Sequence, residues 1–404
     1  MVIGKESIKY SLKNLSHRKT RSLLTILSIF IGITTIFIFI SFGWGLYDYM
    51  GEMSSSSSAN KIMIQAKGGA GIPGLDNTFK LTDADLKAVQ QASGVLEASG
   101  VYFKVVEVKQ KTVKKYTFLI SYDPKEPLIM DIFNIDIEKG RELRDGDNGK
   151  IVVGYNYLLP DKIFSNAYDI NDPIKIDGKD LEIVGFYESV GSPQDDAQVY
   201  ITNDYYEELY NNENFSYGYI IAEIDTTDIK KVVSNIEKSL RKQRGLEEGK
   251  EDFFVQSFED MLASYSSALN IIVGFVVLIA LISVLVSAVN TANTMVTSVL
   301  ERVREIGVMK SIGARNSEIF KIFLFESAFL GFMAGVIGVL IGWGLSAIGG
   351  KLLGDLGWGF LSPHYSIVLF AGCILFATIT GAISGVIPAI NASKTNPVDA
   401  LRYE

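Results

Sequence analysis

The stretch NTMVTSVLERVREIGVMKSIGA, residues 293–314, decides the fold of this chain. It follows a long apolar segment, and it is crowded with charged side chains. A membrane-spanning helix that continues as a charged helix is suited to docking on a protein outside the bilayer. The sequence therefore predicts the membrane subunit of a complex in which a separate protein supplies the energy for movement.

The composition of the 404 residues supports a membrane protein with a soluble part. Hydrophobic residues make up 48% of the chain, and its net charge is −8. Acidic residues outnumber basic ones within 47–267, whereas basic residues prevail in the rest. The acidic stretch argues against nucleic-acid binding, and we interpret it as a solubilising surface rather than a site for a cationic substrate. Cys373 is the single cysteine, so an intrachain disulfide is excluded.

Four apolar stretches have the roughly 20 residues that a membrane-spanning helix requires. The first is too long for the apolar core of a signal peptide and has no cleavage site after it, so we interpret it as an uncleaved span. The predicted spans are residues 23–46, 268–292, 322–348 and 366–388.

Lys and Arg residues that flank these spans predict their orientation. They place both termini and the loop 293–321 in the cytoplasm, 47–267 outside, and 349–365 as a short external loop. Residues 1–22 have the pattern of an interfacial amphipathic helix, with a plain basic topogenic segment as the alternative. The predicted fold class is an integral membrane α-helical protein of four transmembrane helices with a large mixed α/β extracytoplasmic domain inserted between helices 1 and 2.

Alternating and β-branched residues predict strands within 47–267, at 101–108, 117–121, 150–154, 174–176, 181–186, 198–201 and 217–224. Helices are predicted from Thr82 or Asp83 and over 228–243. The Ser-rich and Gly-rich stretch 53–74 is interpreted as a linker and a loop. Ser257-Phe-Glu-Asp260 fits a capping box, and the helix that it begins is expected to run directly into the second span.

The charged stretch after the second span predicts an amphipathic helix over 299–312. Val299, Val303, Ile306 and Met309 recur at helical spacing, and Gly313 suits the end of the helix. The alternative is a loop with salt bridges between residues three apart, such as Arg302 with Glu305, which contribute about 0.2–0.5 kcal/mol per pair. At 389–404, Asn396, Pro397 and Asp399 predict a short closing helix over 397–403.

Small residues and one carboxylate mark candidate helix contacts in the last two spans. Glu326 is the carboxylate, and we expect it to act in packing or to reach the interface rather than to relay protons. Pairs of glycines four residues apart permit close helix approach. The candidate packing residues are Gly331, Gly335, Gly338, Gly342, Gly381, Gly385 and Glu326.

Motifs for catalysis or metal binding are missing from the sequence. No G-x-x-x-x-G-K-[ST] motif is present, so ATP hydrolysis is expected in another subunit. Residues 145–149 fail the calcium-loop pattern and predict a turn, and Asp195-Asp196 is expected to lie in a solvated loop. His17 and His364 lie on opposite sides of the predicted membrane. We therefore predict no catalytic residue, no metal site and no cofactor in this chain.

Residues 293–314, FLFE at 323–326 and PAINASKTNPVDALR at 388–402 resemble the signature of FtsX-like ABC permeases. The segment 81–101, KIVVG, LEIVGF and DDAQVYIT resemble the extracytoplasmic core domain of MacB-type exporters. The resemblance implies a dimer, either of identical or of related permeases, and a partner ABC ATPase that binds ATP and Mg. It also implies mechanotransmission, in which ATP-driven motion reaches the outer domain. Residues implied to couple to the ATPase are Glu301, Arg302, Arg304, Glu305, Gly307, Lys310, Gly313 and Ala314.

Three functional hypotheses remain open from the sequence. The first is an export permease in the cell membrane, for which charge reversal at Arg302 and Arg304 is predicted to uncouple the ATPase without unfolding the protein. The second is a signalling scaffold that activates an extracytoplasmic cell-wall hydrolase or sensor partner without transport. The third, an intramembrane enzyme, lacks a convergent set of catalytic residues within the spans.

Overall fold

The computed structural model describes residues 19–53, 60–67, 80–133, 135–211, 215–225 and 228–402. The chain divides into two compact units. The membrane unit combines the chain up to Leu46 with Ala268–Leu352 and Leu361–Glu404, and the α/β unit combines Tyr47–Ser267 with Leu353–Phe360. The interfacial helix predicted over 1–22 lies almost wholly outside the described residues.

Helices account for nearly all of the membrane unit and for a smaller part of the α/β unit. In chain order within the described ranges they are α1 (Lys19–Met53), α2 (Asp83–Gln90), α3 (Leu128–Phe133), α4 (Asn203–Leu209), α5 (Ile229–Arg244), α6 (Phe258–Glu301), α7 (Val303–Ser311), α8 (Asn316–Asp355), α9 (Ile367–Lys394) and α10 (Pro397–Arg402).

Four of these helices, α1, α6, α8 and α9, contain stretches long and apolar enough to cross a membrane. The prediction of a helix that runs from the capping box into the second span is confirmed by α6, which has 44 residues. At about 1.5 Å per residue this helix is roughly 66 Å long. Ser257 caps it, since its Oγ accepts from Asp260 N at 3.0 Å and donates to the Asp260 carboxylate at 2.7 Å.

The helix predicted over 299–312 is wrong in its extent, because the structure interrupts it at Arg302. That residue has φ −113° and ψ 14°, which separates α6 from α7. The end of α7 matches the prediction: Gly313 has φ +105°, in the region where a residue without Cβ is favoured. The closing helix α10 is present, and Asn396 Oδ1 accepts from Val398 N at 3.1 Å.

The strands of the α/β unit form one mixed sheet. They are β1 (Lys61–Ala66), β2 (Val95–Gln110), β3 (Val113–Tyr122), β4 (Ile137–Gly140), β5 (Lys150–Val153), β6 (Pro173–Ile176), β7 (Lys179–Tyr187), β8 (Val199–Thr202), β9 (Tyr219–Ile224) and β10 (Phe253–Ser257).

The sheet has the strand order β10-β1-β9-β2-β3-β8-β5-β7-β4, with β6 beside β2 and β7. The pairs β3–β8 and β5–β7 are parallel, and the other described pairs are antiparallel. Hydrophobic clusters cover both faces. The larger cluster includes side chains of α2 and α5, and the smaller one includes α3 and Phe258.

Every strand expected within 47–267 is present, but the linker expected over 53–74 is corrected by β1. This strand lies between β9 and β10, and its first four side chains are buried. A strand that is buried on both faces has no alternation of polar and apolar residues to reveal it. Strands β4 and β10 and helices α3 and α4 were also absent from the sequence prediction.

Candidate functional site

The most distinctive contact of the membrane unit is an ion pair at the break between α6 and α7. The two terminal nitrogens of Arg302 donate to the two carboxylate oxygens of Glu326 in α8, at 3.0 and 3.2 Å. Arg302 is 5% exposed and Glu326 is 3% exposed. The two parallel hydrogen bonds of a guanidinium and a carboxylate are among the strongest polar contacts in proteins. Arg302 therefore holds the start of α7 against α8.

Apolar packing fixes the inner face of α7. Ile306 is fully buried and belongs to a cluster with Met295, Val299 and Phe323. Gly307 is also buried, and a Cβ built at that position would lie 2.8 Å from Ala400 Cβ in α10. The close approach of the two helices depends on the absence of a side chain at Gly307, so α10 packs directly against α7.

Lys310 attaches α7 to the end of α9. Its Nζ donates to the carbonyl oxygens of Ser393 and Thr395, each at 2.7 Å. The last carbonyls of a helix have no intrahelical partner, and a cation near this end is favoured by the helix dipole. Lys310 thus contacts its own chain, although the sequence made it a candidate for contact with an ATPase.

The outer face of α7 carries an exposed stripe. Its members recur three or four residues apart and so lie on one side of the helix. Val308 is 48% exposed and Ile312 is 82% exposed. We define the exposed stripe as Arg304, Glu305, Val308 and Ser311 of α7, together with Ile312 directly after it.

The residues implied to couple to an ATPase therefore fall into two groups. The first group is exposed and comprises Glu301, Arg304, Glu305 and Gly313. Inside the fold or at its edge lie Arg302, Gly307, Lys310 and Ala314. Sequence reasoning missed Val308 and Ile312, because it looked for the apolar face that packs inward. Their helical spacing with Arg304 was the signal that could have identified them.

The candidate packing glycines of α8 are buried against two neighbours. Gly331 and Gly335 face α9, and the Cβ of a side chain at Gly331 would lie 2.4 Å from Ala377 O. Gly338 and Gly342 face α1 instead, close to Ile33 and Phe37. The carbonyl of Gly338 also accepts a hydrogen bond from Thr34 Oγ1 at 3.0 Å.

The two glycines of α9 complete this close packing. A Cβ at Gly381 would lie 2.6 Å from Ser327 O and 2.9 Å from Gly331 Cα. One at Gly385 would lie 1.9 Å from Ser327 Oγ. Together with Glu326, the six glycines place α8 in direct contact with α1, α7 and α9.

These features define a multi-pass membrane protein with an α/β domain between its first and second spans. Two family models match the chain: the FtsX-like permease C-terminal model at residues 277–397, and the MacB-like periplasmic core domain model at residues 22–239. The chain belongs to the family of ABC transporter permeases that join a MacB-like extracytoplasmic domain to an FtsX-like permease domain.

Similar proteins support this assignment over the full length of the chain. The permease MJ1507 of Methanocaldococcus jannaschii is 33% identical over 98% of both chains. The permease YknZ of Bacillus subtilis is 27% identical over 99% of both. The macrolide export ATP-binding/permease protein MacB of Wolinella succinogenes is 26% identical over 99% of this chain, which spans 61% of that longer protein.

Proposed function

We propose that this chain is the permease subunit of a MacB-type exporter, and that it passes the motion of a separate ATPase to its extracytoplasmic domain. The exposed stripe is the observation that carries the proposal. It presents Arg304 and Glu305 next to the apolar Val308 and Ile312. Arginine is enriched among the residues that contribute most to binding at protein interfaces, and the buried centre of an interface is more apolar than the rest of the protein surface.

The contacts of α7 support a mechanical role. Its inner side is held by the Arg302–Glu326 pair, by the hydrogen bonds of Lys310, and by the close contact of Gly307 with Ala400. A force on the stripe would act on α8, α9 and α10 together, because each is bound to α7 by buried contacts. It would also act on α6, whose single helix reaches the last strand of the α/β unit.

The proposed orientation places α7 and both termini in the cytoplasm. Lys and Arg residues flank the inner ends of the spans in this arrangement, as membrane proteins prefer. Cys373 is the single cysteine, so a Cys373→Ala background gives a chain that can be labelled at one site. Ser311→Cys should react with an impermeant maleimide only from the cytoplasmic side, and reaction from the outside would refute the orientation.

The ATPase belongs to the proposal as a partner, together with a second permease copy and the surrounding lipid. ATP and Mg would be bound by the ATPase subunit, since this chain has no phosphate-binding motif. The exported substrate would be handled by the α/β unit.

The role of the exposed stripe can be tested by co-purification of the chain with an ABC ATPase subunit expressed in the same cells. The double variant Arg304→Glu, Ile312→Asp should lower co-purification about tenfold or more, as loss of interface residues worth over 1.4 kcal/mol does. Lys394→Glu is the matched control, because it reverses an exposed cation at the end of α9 outside the stripe. Undiminished co-purification of the double variant, with an unchanged melting temperature, would contradict the proposal.

A further inference from the structure

A cavity of about 240 Å³ lies in the α/β unit, on the face of the sheet that α3 covers. Its roof consists of residues from α3 and the segment after it, among them Met130, Phe133 and Ile135. Its floor is formed by one side chain from each of the adjacent strands β9, β2, β3 and β8, namely Tyr219, Phe103, Ile120 and Tyr200.

The register of the sheet explains why these side chains form one floor. Phe103 pairs with Ile120, and Ile120 pairs with Tyr200. Residues paired directly across strands point to the same face. Burial raises the pKa of Tyr200, and it raises the pKa of Tyr219 to about 12. The two phenols are therefore neutral at physiological pH, and the floor carries no charge.

One edge of the cavity is polar. The Tyr200 hydroxyl donates to Gln198 Oε1 at 2.9 Å, and Gln198 Nε2 donates to Asp195 Oδ1 at 2.7 Å. Asp195 is exposed to solvent, so this short chain of hydrogen bonds leads from the floor to the surface. Among the described residues that line the cavity, Asp195 is the one with a carboxyl side chain.

The size and lining of the cavity select its ligand. It is larger than the cavity of about 150 Å³ that binds benzene in an engineered protein. A pocket with apolar walls and a few placed polar groups is the usual form of a small-molecule site. The carboxylate at the edge and the acidic composition of 47–267 favour a positive charge on the ligand.

We propose that this cavity binds an amphipathic cation, with a ring or short alkyl chain between α3 and the sheet and an ammonium or guanidinium group at Asp195. The inference rests on the proposed function only where it makes this molecule the exported substrate. The acidic surface, which the sequence alone led us to interpret as solubilising, then also attracts the ligand.

The wall of the cavity that contains Val190 and Asp195 is a segment that the side chain of Asp196 holds in place by hydrogen bonds. The buried carboxylate of Asp196 accepts from Ser189 Oγ at 2.7 Å and from Val190 N at 2.8 Å. The sequence predicted a solvated loop at Asp195-Asp196. The two residues instead begin a short 3₁₀ helix, Asp195–Ala197, in which Asp195 is exposed as expected and Asp196 is buried, with 3% of its surface exposed. Its carboxylate closes the loop from the inside, which no local sequence pattern indicates.

The outer side of the same loop contacts two segments that adjoin the membrane helices. Tyr49, near the end of α1, donates from its hydroxyl to Val190 O at 3.4 Å. Phe360, beyond the end of α8, donates from its backbone N to Gly191 O at 3.3 Å. Tyr49 and Phe360 both belong to the α/β unit, so these two hydrogen bonds hold the outer side of the cavity wall within that unit.

Protection of a single cysteine tests whether the cavity binds such a ligand. The full chain in lipid nanodiscs, with Cys373→Ala, would carry either Ile135→Cys in the cavity or Tyr116→Cys at a site that is 72% exposed. The probes are n-hexylamine and hexanoate, which share an alkyl chain and differ in charge. Hexylamine should slow modification at position 135 several-fold, hexanoate should not, and neither should affect position 116.

A charge-removing variant tests the role of Asp195. Asp195→Asn should weaken hexylamine protection about tenfold, because hydrogen bonds to charged groups are the stronger ones. Asp204→Asn is the matched control, since it neutralises an exposed aspartate that does not line the cavity. Equal protection by hexylamine and hexanoate would overturn the cationic class, and no protection by either would overturn the site. Binding requires no ATPase, so failure of the stripe variant and failure of this site are separate results.

Discussion

The Arg302–Glu326 pair provides the sharpest test of how α7 is held. Arg302→Met and Glu326→Leu each leave a charged partner buried without compensation, which costs about 3–5 kcal/mol. The double variant leaves two apolar side chains of similar volume and should be close to neutral. The expected coupling energy is therefore the sum of the two single losses, about 6 kcal/mol or more, which is a factor of over 10,000 in the unfolding equilibrium.

Equilibrium unfolding of the purified chain in mixed micelles measures this coupling. The two single variants, the double variant and the wild type form a double-mutant cycle. The charge swap Arg302→Glu with Glu326→Arg is a further control, and it should recover part of the stability that either single reversal loses. If the double variant loses the sum of the two single losses, the pair does not stabilise the fold and the reasoning is refuted.

The same pair corrects the mutational test suggested by the sequence. Reversal of Arg302 would place two carboxylates against each other in a site from which solvent is excluded. Loss of ATPase coupling in that variant would report damage to the fold rather than loss of a docking charge. Arg304 is exposed, so its reversal should change stability by less than about 0.5 kcal/mol.

Two further predictions concern packing and pH. Gly381→Val should destabilise the chain by about 1–3 kcal/mol in the same micelle assay, because its Cβ would clash with Ser327 O. Gly344→Ala is the control and should be neutral, since there is open space where its Cβ would lie. Equal losses in the two variants would contradict the close packing of α9 against α8. The Arg141 guanidinium holds the pKa of Asp147 well below its usual range. The ionised carboxylate of Asp147 therefore stabilises the folded state above about pH 4, the pKa of an unfolded Asp, and this contribution is lost as the pH falls toward the pKa of the folded state. Asp147→Asn should flatten that acid dependence in unfolding measurements, and an unchanged slope would show that the carboxylate does not contribute.

Local chemistry made much of the architecture predictable. The four spans follow from length and hydropathy, because the bilayer demands a continuous apolar helix. The helix starts at Thr82, Asp228, Ser257 and Asn396 follow from side chains that satisfy the first free N–H groups of a helix. The strands with alternating polar and apolar residues were also predictable from the sequence, because a period of two residues is typical of a half-buried strand.

The contacts that define the site and the cavity required the tertiary structure. Glu326 lies 24 residues from Arg302, and Lys310 reaches carbonyls more than 80 residues away. The cavity floor depends on the register of four neighbouring strands, and Phe360 reaches its wall from the far end of the chain. Periodicity reports which side of an element is apolar but not which element will cover it. The sequence alone thus determined the four spans and the class of the fold, while the partner of each buried charge was decided only when distant segments packed together.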